Sequence, residues 1–177
     1  SYKFEDFKEL NQSTDCIVQE FVEGTMINCF YYNDMWNIAT KSVIGANCSF
    51  SGKTFAEMFT EGLNGFDLNL LDPLFSYSFV LQHPENRIVV PFKNPNIYLV
   101  EIYDRSNMIP QNIYLECFIP LQKYFKFPII YPNNNWDQIK SDYEKCDYIT
   151  LGCIVKNYKT NERTKIRNEN YEFVRKL

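Results

Sequence analysis

The chain has 177 residues, of which 45% are hydrophobic and 17% aromatic, and its 18 Lys+Arg and 22 Asp+Glu give a net charge of −4. This composition predicts one folded domain over residues 1–177 and argues against disorder. The acidic balance argues against nucleic-acid binding through bulk charge, and no run approaches the ~18 apolar residues of a membrane span, so we expect no membrane contact. The chain begins at Ser1 without a signal-like segment, which is typical of a fragment or a processed product and predicts an intracellular protein.

The first half of the chain predicts three strands and a helix. The strands are CIVQEFV (16–22), MINCFYY (26–32) and MWNIATKS (35–42), and we expect them to form an antiparallel meander. A helix is predicted over 54–63, because Thr54 and Glu57 have the spacing of a capping box. Its apolar residues line one face and are Phe55, Met58, Phe59 and Leu63.

The second half adds two strands, FSYSFVLQ (75–82) and NIYLVEIYDR (96–105), on either side of HPENRIVVPF. A helix is predicted over 136–146, capped by Asn135, with Ile139 and Tyr143 facing inward. YITLGCIVKNY (148–158) is a further strand, and NENYEFVRKL (168–177) is a helical or extended tail. Interspersed strands and helices predict an α+β fold of mainly antiparallel sheets with flanking helices.

Three local motifs favour structural roles. SGKT (51–54) lacks the glycine that a phosphate loop needs five residues before Gly52, where Asn47 stands, so it predicts a plain helix start. His83 lies in a turn-like segment with no acidic residue patterned to orient it, which favours packing. The six cysteines form no C-x-x-C pair and have one histidine beside them, so we expect reduced, buried thiols and no metal site.

The C-terminal segment is basic although the chain as a whole is acidic. Residues 156–176 carry seven Lys+Arg against three Asp+Glu. Within RTKIR, Arg163, Lys165 and Arg167 alternate with other residues, so a strand would place three cations on one face. That face is either a solvated surface or a row of cations facing phosphates, and the spacing alone leaves both open.

Five segments in order resemble the nucleotidyltransferase domain of the phage-type RNA ligases, over about residues 15–177, as in divergent copies of large DNA viruses. They begin with FVEG and the two strands that follow it, ending in TKSVIG. NRIV followed by a strand ending in Arg105 is the most specific match, and LGCIVKN and RTKIR are similar to the last two motifs. The resemblance implies a ligase-core fold, one catalytic core in length.

The same resemblance implies a degenerate active site. The family's lysine nucleophile, three residues before the motif glycine, falls on Phe21. Its two motif carboxylates fall on Ser78 and Leu151, and leucine offers no oxygen to a metal ion. Lys165 is kept, and the second lysine of the last motif is Arg167. Loss of a covalent nucleophile removes the covalent route, so we expect neither ATP nor Mg²⁺ as a cofactor.

Three functions follow from this resemblance. The first is an inactive binding or structural module whose partners are other proteins, as in a virion or the cytoplasm of an infected cell. The second is an active RNA ligase or capping-type nucleotidyltransferase, using ATP and Mg²⁺, whose nucleophile has moved to Lys41 or Lys165. The third is non-covalent binding of a nucleotide or an RNA 5′ end through Lys41, Arg87, Lys165 and Arg167, in which Arg87 is equally consistent with a structural ion pair.

Overall fold

The computed structural model describes residues 1–40, 49–50, 53–86, 89 and 91–177, and it is an α+β structure. The helices are α1 (Phe4–Leu10), α2 (Phe55–Leu63), α3 (Trp136–Glu144) and α4 (Glu169–Arg175). The strands are β1 (Ile17–Glu20), β2 (Thr25–Tyr32), β3 (Met35–Ala39), β4 (Ser49–Phe50), β5 (Lys53–Thr54), β6 (Phe75–Gln82), β7 (Asn96–Asp104), β8 (Pro110–Gln111), β9 (Gly152–Asn157) and β10 (Glu162–Arg167). The chain forms two compact units, residues 1–23 with 128–177 (unit 1) and residues 24–127 (unit 2).

Unit 1 contains a three-stranded antiparallel sheet in the order β1-β9-β10. One face of this sheet packs on α1 and α3 around a core of Phe7, Val18, Ile139 and Val155. The indole of Trp136 lies edge-on to Phe7, with ring centroids 5.7 Å apart. Because side chains alternate along a strand, the other residues of these three strands face away from this core.

Unit 2 is built on a five-stranded antiparallel sheet in the order β3-β2-β6-β7-β8. One face carries an aromatic and aliphatic core that includes Ile27, Phe79 and Leu99, and α2 contributes Met58 and Phe59 to it. The side chain of Thr54 accepts a hydrogen bond from the Glu57 backbone at 3.1 Å and caps α2. Among the described residues, no helix is long and apolar enough to cross a membrane.

The structure confirms the α+β class and most predicted elements. Helix α2 buries Met58 and Phe59 and is capped by Thr54, as predicted. Asn135 caps α3, which buries Ile139, although the helix ends two residues earlier than predicted. The C-terminal tail forms α4, the helical one of its two predicted forms. Of SGKT, Lys53 and Thr54 form β5 and lead into α2, whereas Ser51 and Gly52 lie outside the described residues.

Three predictions about unit 1 and the cysteines are wrong. Strand β1 pairs with β9 and does not join β2 and β3 in a meander, because pairing over a long sequence separation leaves no local signal. Helix α1 was not predicted, since seven residues carry too little periodicity to separate helix from loop. Of the described thiols, Cys117 is exposed and Cys146 is half-buried, while Cys16, Cys29 and Cys153 are buried as predicted.

Candidate functional site

The three cations of RTKIR lie on one face of the unit 1 sheet. Thr164 and Ile166 are buried, whereas Lys165 and Arg167 between and beside them are exposed. Lys165 pairs with Ile154 and Arg167 pairs with Gly152 in the register of β9 and β10. The predicted alternation is therefore confirmed, and the cationic face is the one opposite the core of unit 1.

Phe21 lies against two of these cations. The Nζ atom of Lys165 is 5.2 Å from the centre of the Phe21 ring, and the guanidinium carbon of Arg167 is 5.5 Å from it. Cations at this distance are attracted by the negative face of the ring. The aromatic side chain at the position of the family's nucleophile thus occupies space directly beside the surviving basic pair.

The register adds two polar residues to this face that the sequence did not single out. Lys156 stands opposite Arg163 and is 2% exposed. Gln19 stands opposite Ile154 and is 0% exposed, and both polar atoms of its side chain lack a hydrogen-bond partner among the described residues. An unpaired buried amide is uncommon in native structures and marks a place where a polar group of another molecule would be satisfied. Only the pairing of β1 with β9 reveals these two neighbours.

The neighbourhood of Arg167 contains carboxylates as well. Its guanidinium lies 3.7 Å from the Glu172 carboxylate. Glu23, which replaces the family's aspartate, is buried. Burial raises the pKa of the Tyr171 phenol to about 12, and the nearby Glu23 carboxylate adds to that rise. A cavity of about 280 Å³ that both Lys165 and Arg167 border is also lined by several acidic side chains of unit 1, which does not favour an anion there: Glu5, Asp6, Glu144 and Glu169.

Leu151 directly precedes β9, and its carbonyl accepts a hydrogen bond from the Asn168 backbone at 2.8 Å. The next residue, Gly152, has a φ of +130°, and a Cβ atom there would lie 1.9 Å from the Ile166 carbonyl oxygen. The chain therefore approaches β10 closely where the family has a glutamate before a glycine. The half-buried leucine side chain offers no oxygen atom at this position.

In unit 2, Ser78 lies in a polar row across three strands. Its hydroxyl donates to the Asn28 side-chain oxygen at 2.6 Å. Ser78 pairs with Asn28 on β2 and with Glu101 on β7, and the register shifts immediately after Ser78. Both Ser78 and Glu101 are buried. The strand beside Ser78 thus supplies a carboxylate, which the sequence comparison missed because Glu101 belongs to another motif segment.

Two further residues of the family resemblance have structural contacts in unit 2. The guanidinium of Arg105 donates to the Tyr31 carbonyl and, at 3.4 Å, to the Pro73 carbonyl. His83 is buried, as predicted, but the expectation that no acidic residue orients it is wrong: its Nε2 lies 2.8 Å from the Glu61 carboxylate. Helix α2 brings Glu61 there, which the spacing in the sequence does not indicate. The candidate residues Lys41 and Arg87 lie outside the described residues.

The donor atoms do not form a magnesium site within the described part of the chain. No group of three or more His, Cys, Asp or Glu side chains there is arranged to hold a metal ion. Mg²⁺ requires oxygen ligands in near-octahedral geometry, and carboxylates are its usual protein ligands. The basic face of unit 1 suits a phosphate, whereas the described residues do not fit the metal that the family resemblance implies.

These observations define an RNA-ligase-like nucleotidyltransferase fold. No protein-family model matches the sequence. An RNA ligase of Rhodothermus phage RM378 is 31% identical over 110 residues, a match that covers 55% of this chain and 24% of the phage protein. A structure of Naegleria gruberi RNA ligase without ligand has a TM-score of 0.71 at 12% identity and covers 99% of this chain and 56% of its own.

Other structures of the Naegleria enzyme give the same fold. A variant with ATP and Mn has a TM-score of 0.70 at 13% identity, and the enzyme with pyrophosphate has a TM-score of 0.65 at 12% identity. The chain spans about half the length of these proteins and about a quarter of the phage ligase. The fold prediction is confirmed, because the mixed structure with antiparallel sheets and flanking helices is that of the RNA ligase nucleotidyltransferase domain.

Proposed function

We propose that this domain binds 5′-phosphorylated RNA ends or nucleotides without forming a covalent lysine–nucleotide intermediate. The observation that carries the proposal is the position of Phe21, with the cations of Lys165 and Arg167 at 5.2 and 5.5 Å from its ring. An aromatic ring beside two cations offers a stacking surface for a base and charges for a phosphate.

The loss of covalent chemistry follows from the side chains at three positions. A phenylalanine ring has no amine to attack a phosphorus atom, and the family's reaction needs a lysine at that position. Leu151 and Ser78 replace its two carboxylates, and the hydroxyl of Ser78 is already bonded to Asn28. Glu101 beside Ser78 replaces one carboxylate at most, so the metal-assisted step also lacks its usual ligands.

Retained binding is supported by the charges on the same face. Lys165 and Arg167 are exposed, and Arg163 continues the row along β10. The unpaired amide of Gln19 lies on this face and supplies both a donor and an acceptor. Structures of the Naegleria RNA ligase, which has the same fold, contain ATP with Mn or pyrophosphate. These features together favour a phosphate-bearing ligand over an apolar partner at this surface.

The covalent route is tested with radiolabelled nucleotide. The protein is incubated with α-labelled ATP or GTP and Mg²⁺ and then denatured, so that only a covalent adduct keeps the label. We expect no adduct from the wild-type protein, with an active RNA ligase as the positive control. A labelled band that survives denaturation and alkali would overturn the loss of chemistry.

Binding is tested by fluorescence anisotropy with a short RNA that carries either a 5′-phosphate or a 5′-hydroxyl. We expect tighter binding of the phosphorylated RNA, and we expect Lys165→Ala or Arg167→Ala to remove most of that difference. Lys159→Ala is the matched control, because it removes the same charge from an exposed lysine of unit 1 that pairs with Asp15 at 3.2 Å. Equal affinity for the two RNAs at low salt would overturn the proposed binding mode and leave the protein-interface role predicted from the sequence.

A second candidate function is a ligase whose nucleophile has moved. Lys165 supports it, because its amine lies beside the ring that stands in the family's lysine position. If Lys165 is the nucleophile, the labelled adduct forms in the wild-type protein, is lost in Lys165→Arg and is kept in Lys159→Ala. An adduct that Lys165→Arg does not affect but Lys41→Arg abolishes would instead identify Lys41.

A further inference from the structure

Unit 2 contains a groove on the opposite side of its fold elements from the polar row of Ser78, at the end of α2. Its volume is about 780 Å³, within the range of ~300–1,000 Å³ that ligand sites occupy. Three segments line it: residues 61–66 at the end of α2, residues 94–97 at the start of β7, and residues 122–126. Asn64 and Gly65 both have positive φ, so the chain turns sharply away from α2 and leaves the groove open at that end.

Aromatic and cationic side chains alternate along one wall of the groove. Tyr124 is 49% exposed, and its ring packs on Phe66 with the centroids 4.7 Å apart. The ammonium of Lys123 lies 5.7 Å from the centre of the Tyr124 ring. Lys126 is exposed, and its backbone is fixed to β7 by hydrogen bonds to Ile97 and Leu99 at 3.0 and 2.8 Å. The wall therefore holds its ring and its charges in place before any ligand binds.

The remaining lining side chains are mainly amides. Asn64, Asn94, Asn96 and Gln122 border the groove, and amides both donate to and accept from the edges of bases. The only acidic residue that the described lining contains is Glu61, whose carboxylate already contacts Lys53 at 2.7 Å and His83 at 2.8 Å. The unneutralised charge along the groove is therefore positive.

We infer that this groove binds single-stranded RNA, with a base stacked on Tyr124 and backbone phosphates at Lys123 and Lys126. Exposed aromatic rings between cations, combined with amides, are the chemistry by which proteins hold unpaired strands. An apolar peptide is disfavoured, because the exposed part of the wall is mostly polar. The inference does not depend on the proposed function, since it uses no residue of the basic face of unit 1.

The experiment uses the full chain and a 12-nucleotide RNA with a 5′-hydroxyl, a 3′ fluorophore and no pairing potential. Stacking is worth ~1–3 kcal/mol per base, so Tyr124→Ala should weaken binding by about tenfold or more, whereas Tyr124→Phe should bind like the wild type. Loss of two phosphate contacts in Lys123→Ala/Lys126→Ala should reduce the slope of log affinity against log salt by about 1.4. Tyr32→Ala, which removes another exposed tyrosine of unit 2, is the control for nonspecific effects.

Crosslinking separates this groove from the basic face. The same RNA with 4-thiouridine should crosslink to a peptide that contains residues 122–126. Lys165→Ala should leave that crosslink unchanged, while it removes the 5′-phosphate preference tested above. Crosslinks confined to residues 154–167, equal binding by Tyr124→Ala and Tyr124→Phe, or a duplex bound as tightly as the single strand would each overturn the inference. Failure of the 5′-phosphate preference with this crosslink intact would affect the proposed function only.

Discussion

Replacing Asn168 with alanine should lower the free energy of unfolding of unit 1 by about 3 kcal/mol. Asn168 caps α4 and is 0% exposed, at the point where β10 ends. Its amide group donates to the carbonyls of Asp147 and Thr150 at 2.8 and 2.7 Å, and to that of Cys146 at 3.4 Å. Its side-chain oxygen accepts from the backbone of Cys146 and Asn170 at 3.2 and 3.1 Å.

The magnitude follows from these five hydrogen bonds. Each contributes ~0.5–1.5 kcal/mol, and the bond at 3.4 Å contributes least. Asp147 is exposed and Thr150 half-buried, so water replaces part of what their carbonyls lose. Loss of the cap of α4 alone costs ~0.5–2 kcal/mol. About 3 kcal/mol is therefore the expected total, a large part of the ~5–15 kcal/mol that stabilises a typical domain.

The assay is urea unfolding followed by the fluorescence of Trp136, in a Trp36→Phe background so that one indole reports. Asn170→Ala is the matched control, because Asn170 is exposed and its side chain donates to a single carbonyl, that of Cys146, at 2.8 Å. Asn168→Asp tests the direction of the bonds, since a carboxylate keeps the acceptor but faces three carbonyls without a donor. A loss below about 1 kcal/mol in Asn168→Ala, or wild-type stability in Asn168→Asp, would refute this account.

Three further predictions concern backbone strain, pH and the lost nucleophile. Gly152→Ala should cost about 3 kcal/mol or more in urea unfolding, because its Cβ would meet the Ile166 carbonyl at a positive φ, whereas Gly65→Ala, at positive φ in open space, should cost only ~1–2 kcal/mol. The hydrogen bond from Lys53, with that of His83, lowers the pKa of Glu61 from 4.5, so its stabilising contribution is present above pH 4.5 and is lost as the pH falls through the lowered value; Glu61→Gln should flatten that acid dependence of the melting temperature, and an unchanged dependence would contradict the contact. Phe21→Lys alone should form no labelled adduct in the nucleotide assay, because Ser78 and Leu151 still lack carboxylates, and an adduct would show that they are dispensable.

Part of the candidate site was predictable from the sequence. The alternation in RTKIR placed Lys165 and Arg167 on one face, because a strand of any sheet has a period of two. The motif order placed Phe21 at the position of the nucleophile. Gln19 and Lys156 were missed, since their membership of the same face depends on the register of β1 and β9, which are far apart in the chain. Glu101 was missed for the same reason, through the pairing of β6 and β7.

The sequence by itself determined the class of fold, the capped helices α2 and α3, the alternation of β10 and the absence of a lysine at the nucleophile position. These properties depend on residue type and on spacing within a few residues, so they can be read locally. Only the tertiary structure decided that β1 leaves the meander for the sheet of unit 1, that Phe21 lies within 5.2 Å of the Lys165 amine, and that Tyr124 lines a groove with Asn64 and Asn94. Those contacts join residues distant in the chain, and non-local pairing is selected by the packing of the whole domain rather than by any segment.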